Sequence, residues 1–144
     1  MNFPILSFLI LLPSIGALFL FFTKSKNEKN ITVKYVALFT SLMNFFLSIY
    51  LWILFDQTTS MFQFVEDRIW IEGLINYKVG IDGISILFII LTTFITPLCI
   101  ISVNNSIKNR LREFLVAILI MESFMIGVFC SCLLYTSDAA DDSL

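Results

Sequence analysis

Four apolar runs, broken by short polar stretches, set the pattern of the chain: residues 3–22, 33–55, 84–103 and 114–131. Each is close to the roughly 20 residues that a helix needs to cross a bilayer. The third is the clearest. Asp82 and Lys108 bound 25 residues without a charge, and at 1.5 Å per residue these reach past the roughly 30 Å of hydrocarbon. The first run lacks the basic start and small-residue cleavage site of a secretory signal, so it is expected to stay as a helix. The pattern predicts an all-α fold class: a polytopic transmembrane helix bundle with four helices in this chain. Residues 56–80 are the one sizeable segment outside the membrane, expected to be a loop.

Loop charges predict the orientation. Lys24, Lys26 and Lys29 lie between the first two runs, with Lys34 at the start of the second, and Lys108, Arg110 and Arg112 lie between the last two. The middle loop carries only Arg68 and Lys78 against Asp56, Glu66, Asp67, Glu72 and Asp82. Basic residues in short loops stay on the cytoplasmic side, which places the amino terminus outside. Phe62, Phe64, Trp70 and Tyr77, with Tyr50 and Trp52, are expected to form an aromatic belt at the outer interface.

Composition narrows the chemistry. Hydrophobic residues make up 58% of the chain, 16 of them Phe, and mean hydropathy is +0.93, too apolar to coat a soluble globule. A net charge of -2 and the lack of any large basic patch exclude a nucleic-acid partner; the lipid bilayer is the expected surroundings. There is no His, and Cys99, Cys130 and Cys132 show no C-x-x-C spacing. No metal site is expected, and these cysteines read as small packing residues.

Glu122, in LVAILIMESFMIGVF, is the residue with the most chemistry to offer. A carboxylate at a helix centre costs about 2.5–3.5 kcal/mol to insert, so it needs a partner, a wet cavity or a proton. It is either a proton-coupling group or a hydrogen-bonded acid that packs helices, and no basic partner stands in the membrane runs. Pro97 beside Thr92, Thr93 and Thr96 predicts a helix kink whose freed carbonyls the threonines satisfy, or a hinge. Pro13 reads the same way. Thr40, Asn44 and Ser48, and likewise Ser123, Gly127 and Ser131, recur every four residues as packing seams or the lining of a polar path. Asp82 is placed as the N-cap of the third helix.

The words FQFVE (62–66), VGIDGIS (79–85), LTTFITPLCI (91–100) and REFLVAILIMESFMIGVFCS (112–131) together resemble a known family. They are similar to the amino-terminal part of chain M, chain 4 in mitochondria, of proton-translocating NADH-quinone oxidoreductase, respiratory complex I, in a bacterial version. The resemblance covers residues 1–131. It implies an antiporter-like fold of about fourteen helices, built on inverted repeats with broken helices, in which buried lysines and glutamates move protons as quinone is reduced elsewhere in the complex. It also implies a multi-pass location in the bacterial inner membrane, with neighbouring antiporter-like chains as partners. Cofactor binding is implied for other subunits only: flavin, iron-sulfur clusters and quinone lie outside this chain. The family's best-known carboxylate follows shortly after the point this chain reaches. Glu122 instead matches a glutamate at the M-E word of the fourth helix. Two other functions fit the same pattern: a subunit of a multisubunit cation/proton antiporter, or a non-catalytic four-helix membrane scaffold.

Residues 132–144 depart from the family pattern. The string CLLYTSDAADD resembles the translation of a transposon-end adapter used in sequencing libraries, so this tail is expected to be non-native and to carry no function. Four helices without the later coupling residues are expected to pump nothing alone.

Overall fold

The computed structural model describes residues 4–23, 30–58, 63–71, 75–103 and 110–141, with backbone alone for 30, 67–71, 75–78 and 132–141. In order these are α1 (Ile5–Phe22), α2 (Asn30–Leu54), β1 (Gln63–Ile71), β2 (Ile75–Ile81), α3 (Gly83–Ser102) and α4 (Leu111–Asp141). All four helices are long and apolar enough to cross a membrane. They form an up-down bundle in which α1 packs chiefly on α4 and α2 on α3, while α2 and α4 meet across the diagonal.

Each helix buries one narrow stripe. On α1 it is Leu6, Leu9, Pro13, Gly16 and Leu20, spaced three or four apart, with Ala17 beside Gly16. The opposite face is just as apolar, with Phe8, Leu11, Ile15, Leu18 and Phe22 exposed. A soluble helix would be polar there, so this surface suits hydrocarbon. The buried residues form two apolar clusters. One, around Leu6, Leu51, Ile86, Ile126 and Cys130, lies at the hairpin end; the other, around Leu20, Val33, Ile100 and Leu115, lies at the opposite end. Between them runs a layer of buried polar side chains: Ser41, Asn44, Ser48, Thr93, Glu122 and Ser123.

Three expectations need correction. Residues 56–80 are not simply a loop: β1 and β2 pair antiparallel, with Gln63 opposite Ile81 and Glu66 opposite Val79. The β-branched and aromatic residues of QFVEDRIWI and INYKVGI favour extended backbone, and Val79 and Ile81 give the hairpin an apolar foot on the core cluster at that end of the bundle. Phe64, expected in the aromatic belt, is half-buried against that same core. It sits at φ 54 where the register slips between Gln63 and Glu66. Finally, α2 starts at Asn30 rather than 33, while α4 starts at Leu111 rather than 114 and continues past 131 to Asp141. Hydropathy marks the part of a helix inside the membrane, whereas backbone hydrogen bonding carries on through polar residues at either end. Tyr50 and Trp52 are exposed; Phe62 and the side chains of Trp70 and Tyr77 lie outside the described residues.

Candidate functional site

The site is built where the four helices cross the middle of the bundle. Glu122 is 11 residues beyond Leu111, so it lies about 16 Å along α4, near half the hydrocarbon thickness. Its side chain is 1% exposed. Asn44 of α2 donates an amide N–H to Glu122 Oε1 at 2.8 Å. The other oxygen of each group, Glu122 Oε2 and Asn44 Oδ1, has no hydrogen-bond partner among the described residues. Burial without partners is expensive for such atoms, and a carboxylate feels it most.

Asn44 belongs to one α2 stripe that serves three neighbours in turn. Thr40 meets α1: a Cβ at Gly16 would fall 2.5 Å from Thr40 Cγ2, so only glycine lets these two backbones approach. Asn44 meets α4 through Glu122. Ser48 meets α3, its Oγ 2.8 Å from Thr93 Oγ1. The spacing of four marks the stripe in the sequence, but which helix each member reaches depends on the bundle.

Beside Glu122, Ser123 faces α1. Its hydroxyl donates to Ile10 O at 2.6 Å, and its single proton is then spent, so Ser14 Oγ, 2.7 Å away, is the donor in their contact. The rest of the α4 seam does not act alike. At Gly127 a Cβ would meet only Ile10 Cγ2 at 4.0 Å, ordinary contact, and Ser131 is exposed. The close approach of helices is at Gly16, which sequence reasoning passed over; the signal available was its place among Ser14 and Ala17.

On α3 the helix runs through Pro97 without interruption. Thr92, Thr93 and Thr96 donate to carbonyls of Phe88, Ile89, Ile90 and Thr92. These lie before Thr93, the carbonyl that proline leaves without its usual donor. The threonines therefore brace the turns ahead of Pro97.

Charged residues finish the helices rather than standing free. Asp82 is the N-cap of α3, accepting from Ser85 N at 2.7 Å. Glu66 reaches from β1 to the start of α1, where Oε1 accepts from Leu6 N at 2.9 Å and Oε2 from Ser7 Oγ. At the other end Arg112 donates to Thr23 O at 2.8 Å, and Lys34 to Ile101 O at 3.3 Å. Acids thus meet helix N-termini and cations meet C-termini, as the helix dipole favours. Lys24, Lys26, Lys29 and Lys108, which carried much of the orientation argument, lie outside the described residues. Among the described residues no three His, Cys, Asp or Glu side chains cluster as a metal would require.

Fold and site together define a multi-pass helical membrane protein with a carboxylate at mid-depth. No protein-family model matches the chain. Its similarity to known proteins is nonetheless plain. It is 44% identical over 91% of its length to NADH-quinone oxidoreductase subunit M of Rickettsia conorii. It is equally identical, over 88%, to NADH-ubiquinone oxidoreductase chain 4 of Marchantia polymorpha, and 43% identical over 87% to chain 4 of Arabidopsis thaliana. The chain is a homologue of NADH-quinone oxidoreductase subunit M and NADH-ubiquinone oxidoreductase chain 4. It spans about a quarter of the length of these relatives.

Proposed function

We propose that the chain is the amino-terminal part of a membrane subunit of proton-translocating NADH-quinone oxidoreductase, in which Glu122 holds a proton at mid-membrane. The identity to subunit M across nine-tenths of the chain carries the assignment to the complex. The Asn44–Glu122 pair carries the role within it. An amide N–H can donate both to a carboxylate and, more weakly, to the carbonyl oxygen of a carboxylic acid, so Asn44 keeps the side chain in place in both protonation states. The proton is carried on Oε2, the oxygen Asn44 does not occupy. No redox group is assigned to this chain; flavin, iron-sulfur clusters and quinone belong to other subunits, and neighbouring antiporter-like chains are its partners.

The membrane is the bacterial inner membrane, consistent with the Rickettsia relatives, with the amino terminus and hairpin outside and Arg110 and Arg112 inside. A chimaera tests the assignment: residues 4–131 replace the corresponding segment of a bacterial subunit M in its own complex. Restored NADH-driven proton translocation supports it. An assembled complex that oxidises NADH without translocating protons, or a segment that never assembles, contradicts it.

A further inference from the structure

The polar layer of the bundle leaves one pair of atoms unmatched. Among the described residues, Glu122 Oε2 and Asn44 Oδ1 are the two buried side-chain oxygens without a hydrogen-bond partner. They belong to two groups already joined through their other atoms, where Asn44 Nδ2 donates to Glu122 Oε1 at 2.8 Å. We propose that Glu122 stands in this bundle as a neutral carboxylic acid whose Oε2 proton is donated to Asn44 Oδ1, so that acid and amide close a ring of two hydrogen bonds. Asn44 is then a positioning residue: it decides which oxygen carries the proton and holds that proton between α2 and α4. The inference deepens the reading that Glu122 holds a proton and does not depend on the redox chemistry of the complex.

The chemistry of the two groups selects this arrangement. An amide presents a donor and an acceptor side by side, and a protonated carboxyl does the same, whereas a carboxylate presents acceptors alone. Ionised Glu122 can therefore use only the N–H of Asn44. It leaves both remaining oxygens bare in side chains that are 0% and 1% exposed. One proton on Oε2 gives each of them a partner.

The surrounding helices supply no other donor. On α2, Ser41 donates to Leu38 O, and Ser48 Oγ lies 2.7 Å from Phe45 O. On α3, Thr93 Oγ1 is 3.0 Å from Ile89 O and from Ile90 O, so Ser48 and Thr93 divide their protons between each other and carbonyls of their own helices. Ser123 of α4 gives its proton to Ile10 O, and Ser14 of α1 gives its own to Ser123. Glu66 of the hairpin is engaged at the start of α1. Among the described residues Glu122 is also the one charged side chain that is buried, so no cation offsets a negative charge there. At mid-membrane depth such a charge is costly, and a proton removes it.

Infrared spectroscopy of the full-length subunit in its complex tests the ring. The wild type minus Glu122→Gln difference should contain the carbonyl stretch of an un-ionised carboxylic acid and no carboxylate stretch. Asn44→Leu, which removes both hydrogen bonds, should move that carbonyl stretch to higher frequency and speed its deuterium shift in heavy water several-fold. A second reading needs no change at Asn44. With carbon-13 in the asparagine side-chain carbonyls, the Asn44 band should keep its place in Glu122→Gln, whose amide N–H still donates to Oδ1, and rise in frequency in Glu122→Leu. A carboxylate stretch from Glu122, an acid carbonyl indifferent to Asn44→Leu, or an Asn44 band indifferent to Glu122→Leu would each overturn the proposal. An ionised Glu122 in a complex that translocates protons would remove the ring and leave the proposed function standing. A neutral ring in an assembled complex that translocates none would do the reverse.

Discussion

Glu66 and Arg112 hold opposite ends of the same helix. Glu66 accepts from the first amides of α1, and Arg112 donates to Thr23 O just past its last turn. Sixty residues separate Glu66 from Leu6, and 89 separate Arg112 from Thr23, so both are tertiary contacts that tie the helix to β1 and to α4. Both charges therefore stabilise the ends of α1 through residues distant in the chain.

Replacing Glu66 by alanine should strip α1 of its N-terminal acceptor and cost about 1 kcal/mol, the usual worth of such a cap. Hydrogen exchange at the Leu6 and Ser7 amides should quicken several-fold while exchange in the middle of α4 stays unchanged. Unaltered protection at Leu6 would show that the contact contributes nothing.

Two glycines should respond in opposite senses. Gly16→Ala drives a methyl into Thr40 and should destabilise by about 1–3 kcal/mol, with partial recovery on adding Thr40→Ala. Gly127→Ala has room and should be neutral or stabilising by up to about 1 kcal/mol, since alanine is the better helix former. Thermal unfolding of the purified protein in detergent distinguishes them.

How far the sequence foretells these contacts can be judged from the same residues. The four membrane helices are written in the runs of apolar residues, and the cap at Asp82 in the local word GIDGIS, because both depend on neighbours in the chain. The partner of Glu122 is not legible, because Asn44 lies 78 residues away and nothing in either run says that α2 and α4 meet on the diagonal. The hairpin escapes for a different reason. Charges at Glu66, Asp67 and Arg68 mask the strand pattern, and its stability comes from the foot that Val79 and Ile81 set on the core cluster beneath it. Gly16 is hidden because a glycine in an apolar run shows its purpose only once Thr40 is opposite it.

Asp56, just past α2 and fully exposed, has its carboxyl held below the ordinary 3.8 by the Thr58 hydroxyl and backbone N–H, which bond Oδ1 at 2.7 and 2.9 Å. These bonds favour the charged form, so the turn at 56–58 keeps them above pH 3.8 and loses them as pH falls through the lowered value. Thr58→Ala should return the Asp56 titration, followed by its carboxyl chemical shift, toward 3.8. An unchanged titration would remove Thr58 as the cause.

Orientation has its own test. In a background without the native cysteines, Arg110→Cys should react with an impermeant maleimide only from the cytoplasmic side of closed vesicles, and Gln57→Cys only from the outer side. Both positions are exposed, so access reports topology rather than burial. The reverse pattern would invert the bundle.

Glu122→Gln in the intact enzyme tests the central claim most directly, with protons translocated per NADH oxidised measured in closed vesicles. The substitution preserves size and can still accept from Asn44, so assembly should hold and NADH oxidation continue. The ratio of protons to electrons should fall if Glu122 carries a proton at mid-membrane. A normal ratio in a normally assembled complex would contradict that role and leave Glu122 as a contact between α2 and α4.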